Sequence, residues 1–401
     1  MSEAPARVVV GYGERRAVGL PTWAKGVAPL ILLAAAVAAF LRLGPMGVLR
    51  QAFPPVEQLT IERITLPRPG EMVVSVVNGG PEPVTLAQVL VDNAAWFHTL
   101  DGDRRIGRLE RRNVTILYPW VEGEPHVVTL VTSTGLTFTG EVAVATQTPS
   151  VDARYVSTFA LLGIYAGVIP VFLGLLWLPF LRSIPQRWVD FFLSFTVGLL
   201  VFLGADAVAE ALEVSARVPG AFQGAAVVLM GVLATPLLLA ALGQRRAGKG
   251  KDRTPLYVAT LIAAAIGLHN LGEGLAIGTS YATGEIALGT FLVIGFLIHN
   301  STEGLGIVAP IASQRTNLGR LAGLGLLAGA PTVAGAWLGA FAYSSLLITL
   351  CFAIGAGAII QVVHEIWKLL GTRGRLTEPL NATGLVLGLV TMYVTGLLVA
   401  V

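Results

Sequence analysis

Two short stretches, His269-Asn270-Leu271-Gly272-Glu273-Gly274 and His299-Asn300-Ser301-Thr302-Glu303-Gly304, repeat one order of residue types thirty positions apart. In each, histidine and glutamate are four apart. On a helix that spacing puts an imidazole and a carboxylate on one face, with the asparagine about 100° away on the adjoining edge. Imidazole nitrogen combined with carboxylate oxygen suits Zn²⁺ and its first-row neighbours, whereas a cage of oxygens alone would suit Mg²⁺ or Ca²⁺. The plainer chemistry is a hydrogen bond within each pair that glues helices together. Two copies of the pattern favour a shared metal site over that reading.

Both stretches lie inside long apolar runs, where an ionisable side chain costs at least a few kcal/mol and persists mainly when it faces a cavity or a partner. Of 401 residues, 54% are hydrophobic and 13% are charged, too little charge to cover a water-facing surface. The charge is also uneven. Residues 51–155 hold an ordinary share, while residues 156–401 are apolar runs broken by short polar links. At about 20 residues per span, the chain offers candidates at 27–43, 155–181, 188–212, 221–242, 256–279, 286–311, 321–341, 345–369 and 380–400. The two motifs fall in the fourth and fifth spans after the polar region, each about 13 residues, or roughly 20 Å, along its helix. Those spans enter from opposite sides, so the motifs meet near the midplane.

Basic residues orient the spans. Arg182 and Arg187, the cluster Arg245, Arg246, Lys249, Lys251 and Arg253, then Arg315 and Arg320, then Lys368, Arg373 and Arg375 occupy alternate links, and the other links contribute only Arg217. The enrichment of cytoplasmic links in Lys and Arg puts residues 1–26 and 243–255 inside, and residues 55–150 and the C-terminus outside. The span at 27–43 then reads as a retained anchor rather than a cleaved signal.

Residues 55–150 alternate apolar and polar in runs such as 72–77, 84–91, 114–118, 127–132 and 136–144, separated by turn signals such as Asn78-Gly79-Gly80-Pro81, the pattern of a small β-sandwich. His98 and His126 lie in it with no second ligand at metal-binding spacing, so a structural or surface role is expected. The fold class is therefore an all-α polytopic membrane protein, an eight-helix core at 155–401 plus one N-terminal transmembrane helix, carrying an extracytoplasmic β-sandwich whose partner is unknown. The net charge of +3 sits in clusters at span ends, which excludes nucleic-acid binding. Cys351 is the only cysteine, which excludes an intrachain disulfide or a cysteine-based metal site.

Further polar residues mark a route through the core. Asp206 and Glu210 lie in the outer third of the second core span, with Glu285 at the outer mouth; Gln361, His364 and Glu365 lie in the inner third of the seventh. An acidic entrance, a midplane site and an inner exit result.

On these residues the stretch 155–401 resembles the ZIP (Zrt-/Irt-like) metal transporters. The fourth-span motif is the most specific part of the likeness; the fifth-span motif, residues 194–213 with Gly204-Ala205-Asp206, and residues 356–365 add to it. The resemblance implies eight spans with both core ends outside, and transport of a divalent metal towards the cytoplasm. It implies that His269, Asn270, Glu273, His299, Asn300 and Glu303 are the transport-site ligands. Zn²⁺ is expected first, with Fe²⁺, Mn²⁺, Co²⁺ and Cd²⁺ as further substrates. The metal passes through as substrate, with no permanently bound cofactor and no enzymatic activity. The setting is a bacterial or archaeal plasma membrane, the other partner is membrane lipid, and a homodimer is compatible. There are departures from the family pattern. Gly272 and Thr302 stand where the family often has proline, leaving Gly274 and Gly304 to bend the helices. The sixth span carries Gly329-Ala330-Pro331-Thr332 without an acid, Asn300 stands where an acid is frequent, and 243–255 is basic rather than histidine-rich. One metal at a time is the expectation.

Two rival classes share some of these features. An intramembrane hydrolase would activate water on Zn²⁺, but no His-Glu-x-x-His run exists, and Ser301 reads as an interhelical hydrogen-bonding residue rather than a nucleophile. A sensor or adhesion protein would need one anchoring span, not eight. The absence of a Gly-x-x-x-x-Gly-Lys-Ser/Thr loop argues against ATP-driven transport.

Overall fold

The computed structural model describes residues 22–43, 56–148, 152–247, 254–282, 286–341, 344–372 and 378–397. The expectations for residues 1–21, for the centre of the basic link at 248–253 and for Glu285 lie outside the described residues. Helix α1 (Thr22–Leu43) contains Pro29. Its apolar part, Val27–Phe40, is shorter than any of the core spans.

Among the described residues, eight helices are long and apolar enough to cross a membrane. They are α2 (Ala153–Ser183), α3 (Gln186–Ser215), α4 (Gly224–Ala247), α5 (Pro255–Ala282), α6 (Ile286–Val308), α7 (Leu318–Phe341), α8 (Ser345–Thr372) and α9 (Pro379–Leu397). The surface they present is that of an integral membrane protein. On α4 alone, Leu229, Met230, Leu233, Leu237 and Leu238 are 57–71% exposed, an apolar stripe that lipid, not water, would cover.

Hydrocarbon supplies no hydrophobic drive between helices, so close approach rests on small residues. Gly274 and Gly278 of α5 face Gly335 and Gly339 of α7; a Cβ built at any of the four would lie 2.2–2.3 Å from a carbonyl oxygen of the opposite helix. Gly174 and Gly304 join α2 to α6 in the same way, and Gly198 and Gly388 join α3 to α9. Gly274 and Gly304 are thus contact points rather than bends. Helices α5 and α6 run uninterrupted through both motifs. The interruptions fall elsewhere, in a π turn at Ile164–Val168 of α2 and at Pro331 inside α7.

Among the described residues, nine strands follow α1: β1 (Leu59–Arg68), β2 (Glu71–Asn78), β3 (Val84–Val91), β4 (Ala94–Trp96), β5 (His98–Leu100), β6 (Arg105–Ile106), β7 (Arg111–Ile116), β8 (His126–Thr132) and β9 (Thr137–Val142). They form two antiparallel sheets, ordered β1-β2-β7-β5 and β4-β3-β8-β9, with β6 paired to β3. Met72, Val74 and Val76 from one sheet and Val89, Val91, Val128 and Leu130 from the other are fully buried in one core, the packing of a β-sandwich. Asp92 and Asn93, both at positive φ, make the two-residue turn between β3 and β4. The Asp92 carboxylate accepts hydrogen bonds from the Val127 N–H (2.9 Å) and the Tyr118 hydroxyl (2.8 Å) and lies 2.8 Å from His126 Nδ1. His126 is therefore tied into the sandwich by a carboxylate far away in sequence. Burial raises the Tyr118 phenol, and Asp92 raises it further, to about 12.

The sandwich meets the helical core at one end. Gly79 packs on Pro219 and Gln58 on Gly220, both in the α3–α4 link, and Arg63 Nη2 donates to Ala282 O at the end of α5 (3.2 Å).

Candidate metal centre

Helices α5 and α6 bring His269, Glu273 and His299 together, with one ligand atom of each within 4.8 Å of the others. His269 Nε2 lies 3.0 Å and His299 Nε2 2.6 Å from the same oxygen, Glu273 Oε1. The other oxygen, Oε2, accepts from Asn300 Nδ2 at 3.1 Å. His269 and Glu273 are buried at 3% and 2% exposure.

The two asparagines are held by backbone carbonyls of neighbouring helices. Asn300 Nδ2 also donates to Ala166 O of α2 (2.8 Å), and Asn270 Nδ2 donates to Ala328 O of α7 (3.1 Å). Neither acceptor is in an ordinary helical turn. Ala166 lies in the π turn, where the regular i→i−4 ladder is interrupted. Ala328 lies three residues before Pro331, whose ring leaves the Leu327 carbonyl without its N–H partner and disturbs that turn. A carbonyl can only accept, so each contact fixes the amide nitrogen on that side and turns Oδ1 the other way. Both Oδ1 atoms are buried without a hydrogen-bond partner. The two Glu303 oxygens, beside Asn270, are equally buried and make no hydrogen bond of good geometry. Buried acceptors without donors are costly, and four of them next to two imidazoles and a second carboxylate form a donor set that a divalent cation would satisfy.

A cavity of about 330 Å³ leads to this cluster. Asp206, Glu210 and Glu213 of α3 line it together with Phe296 of α6 and Phe352 of α8, and the buried His269 and Glu273 lie at its depth. Its mouth is at the β-sandwich end, where Glu213 and Arg217 are exposed and 3.8 Å apart. Phe296 stands edge-on to the His299 ring, centroids 5.3 Å apart. Beyond the cluster, away from the sandwich, Leu200, Leu203, Ile262, Ile266 and Ile359 pack into one apolar core. On that side Gln361 Nε2 donates to Glu365 Oε1 (2.9 Å), both residues being buried. His364 is exposed and is not brought into the same group. The Ser301 hydroxyl bonds Leu297 O of its own helix (2.9 Å), so it does not bridge helices as its type and place suggested.

Residue type and spacing gave no hint of Phe296 and Phe352, since aromatic residues are ordinary in apolar spans. The carbonyl contact at Ala328 had one signal, a proline inside a span.

No protein-family model matches this chain. The chain is similar to a zinc transporter. That relative, GufA of Myxococcus xanthus, is 32% identical over 120 residues, which are 29% of this chain and 47% of the relative. The match thus spans about half of the relative's length.

Proposed function

We propose that this protein belongs to the ZIP family and carries a divalent transition metal, Zn²⁺ first and Fe²⁺, Mn²⁺, Co²⁺ or Cd²⁺ as alternatives, towards the cytoplasm. The observation that carries the reading is the convergence of His269, Glu273 and His299 at the depth of an acid-lined cavity, with the buried Oδ1 atoms of Asn270 and Asn300 and the buried Glu303 carboxylate nearby. Likeness to a zinc transporter over part of the chain supports it.

In this reading the metal is the substrate. Asp206 and Glu210 draw a cation into the cavity and replace part of its hydration. Glu273 and Glu303 supply the two negative charges that a divalent ion needs in a low dielectric. The imidazoles coordinate only once their nitrogens are free of protons, so loading releases protons. The apolar packing beyond the site describes a state open towards the β-sandwich and closed on the other side. Release then requires the helices around Ile262, Ile266 and Ile359 to part, exposing Gln361 and Glu365. The basic links favour the sandwich side as the outside.

Zn²⁺ uptake into proteoliposomes tests the proposal. The wild type is expected to accumulate Zn²⁺, and Glu273→Ala and Glu303→Ala are each expected to abolish uptake. His269→Ala and His299→Ala should weaken it and change the order of preferred metals. Wild-type uptake by a correctly inserted double glutamate variant would remove the basis for the assignment.

A further inference from the structure

Five arginines fall within nine residues of the β-sandwich, at 104, 105, 108, 111 and 112. Two are used inside the domain, Arg111 with Glu62 (2.7 Å) and Arg112 with Glu110 (2.5 Å). Arg104, Arg105 and Arg108 are exposed, and among the described residues they form no ion pair. Asp103, also exposed, offsets one of their three charges. Leu109, in the same loop, is 44% exposed and sits at φ +58°, so its apolar side chain is held out on a left-handed turn. Neither the sandwich core nor the metal centre uses any of these four side chains.

The position of the loop gives them a partner. Leu109 N–H donates to Asn78 O (2.8 Å), Asn78 N–H donates to Glu110 O (3.2 Å), and Asn78 Nδ2 donates to Ile106 O (3.0 Å). The next residue, Gly79, packs on Pro219 of the α3–α4 link. That link joins two membrane-crossing helices at the ends of their apolar runs, where lipid headgroups lie. Three unpaired guanidinium groups and one exposed leucine are thereby held at the end of the sandwich nearest the membrane surface. Guanidinium pairs phosphate bidentately, and basic residues beside a bilayer are drawn to anionic lipid within about a Debye length of roughly 10 Å.

We propose that the segment 104–110, strand β6 and the turn after it, binds the phosphate headgroups of anionic phospholipid through Arg104, Arg105 and Arg108, with Leu109 entering the interface. The sandwich is thereby moored to the bilayer as well as to the helix ends. The proposal is independent of what the core transports.

The test uses the full-length protein in nanodiscs, with Leu109→Cys carrying a fluorophore in a Cys351→Ala background. The discs contain phosphatidylcholine alone or mixed with phosphatidylglycerol, and a trace of lipid bearing a nitroxide on its headgroup. Strong quenching is expected in the anionic discs, with less in high salt and in phosphatidylcholine. It should be largely lost when Arg104, Arg105 and Arg108 are all replaced by glutamine; the three are exposed, so the variant is expected to fold. Quenching equal in both lipids, or unchanged by the glutamine replacements, would overturn the proposal. So would absence of quenching in every disc.

Discussion

Replacing Glu273 by alanine removes three hydrogen bonds at once, from His269, His299 and Asn300. Asn300 keeps its second acceptor, Ala166 O, so the loss falls on two imidazoles in a buried site. At about 1–3 kcal/mol for each buried donor left without a partner, the metal-free protein should lose about 2–6 kcal/mol, if the two losses add. Glu273→Gln separates geometry from charge. Its Oε1 can still accept from the imidazoles, but its Nε2 then faces the Asn300 amide, donor against donor, so roughly one bond is lost rather than two. Thermal unfolding in detergent, with and without Zn²⁺, reads both effects. Without metal the order of stability should be wild type, then Glu273→Gln, then Glu273→Ala. Zn²⁺ at about a hundred times its Kd should stabilise the wild type by about 2.7 kcal/mol and both variants by close to nothing. The hydrogen-bond argument fails if the alanine variant is as stable as wild type without metal. The site assignment fails if either variant keeps the full Zn²⁺ response.

Four further outcomes are expected. Gly335→Leu should yield no folded protein by size exclusion, because its Cβ alone would lie 2.2 Å from Leu271 O; Gly323→Leu, where a Cβ meets nothing within 4 Å, should elute as wild type. Zn²⁺ uptake should rise with pH, since protonated His269 and His299 cannot coordinate; a profile flat from acid to alkaline pH would contradict it. Burial alone would raise the Asp92 carboxylate, but hydrogen bonds from Val127, His126 and Tyr118 hold it below its usual value. The stability it gives is then present above the unfolded-state value of about 3.9 and lost as pH falls through the lower folded value, so Asp92→Asn should lower the melting temperature at neutral pH and blunt the acid transition. An impermeant thiol reagent added to right-side-out vesicles should label Arg217→Cys and not Arg320→Cys, and the reverse result would invert the proposed orientation.

The helical core was legible because a membrane span states itself in composition, and each core helix begins and ends within a few residues of its apolar run. The duplicated motif was legible because a four-residue spacing survives folding as a shared helix face. Less visible was whatever depends on one backbone touching another. Gly274 and Gly304 read as flexible, yet their use lies in the carbonyls of helices distant in sequence. Strand β1 escaped the alternating pattern because bulges between Ile61 and Arg63 and between Thr65 and Arg68 shift its register. The partner of His126 was hidden because Asp92 reaches it across strand pairing, at no fixed sequence interval. His364 and Glu365 are neighbours in sequence, but successive residues of a helix diverge by about 100°, so only one of them faces the interior.

The π turn in α2 sets the phase of that span. Gly163 and Gly174 are eleven residues apart, close to three turns of an ordinary helix, so without interruption both would face the same neighbour. Instead Gly163 and Gly167 abut Val333 and Thr332 of α7, while Gly174 abuts Ser301 and Gly304 of α6. The additional residue rotates the second half of the helix by about 100° relative to the first, and one span thereby serves two partners. Deleting a single residue from 164–168 should turn this stretch into regular helix and leave Gly174 against Gly304 of α6. In a homologous chain without the π turn, the glycine that meets α6 would have to sit one position earlier relative to the pair that meets α7, so an alignment of α2 should place its one-residue gap inside 164–168.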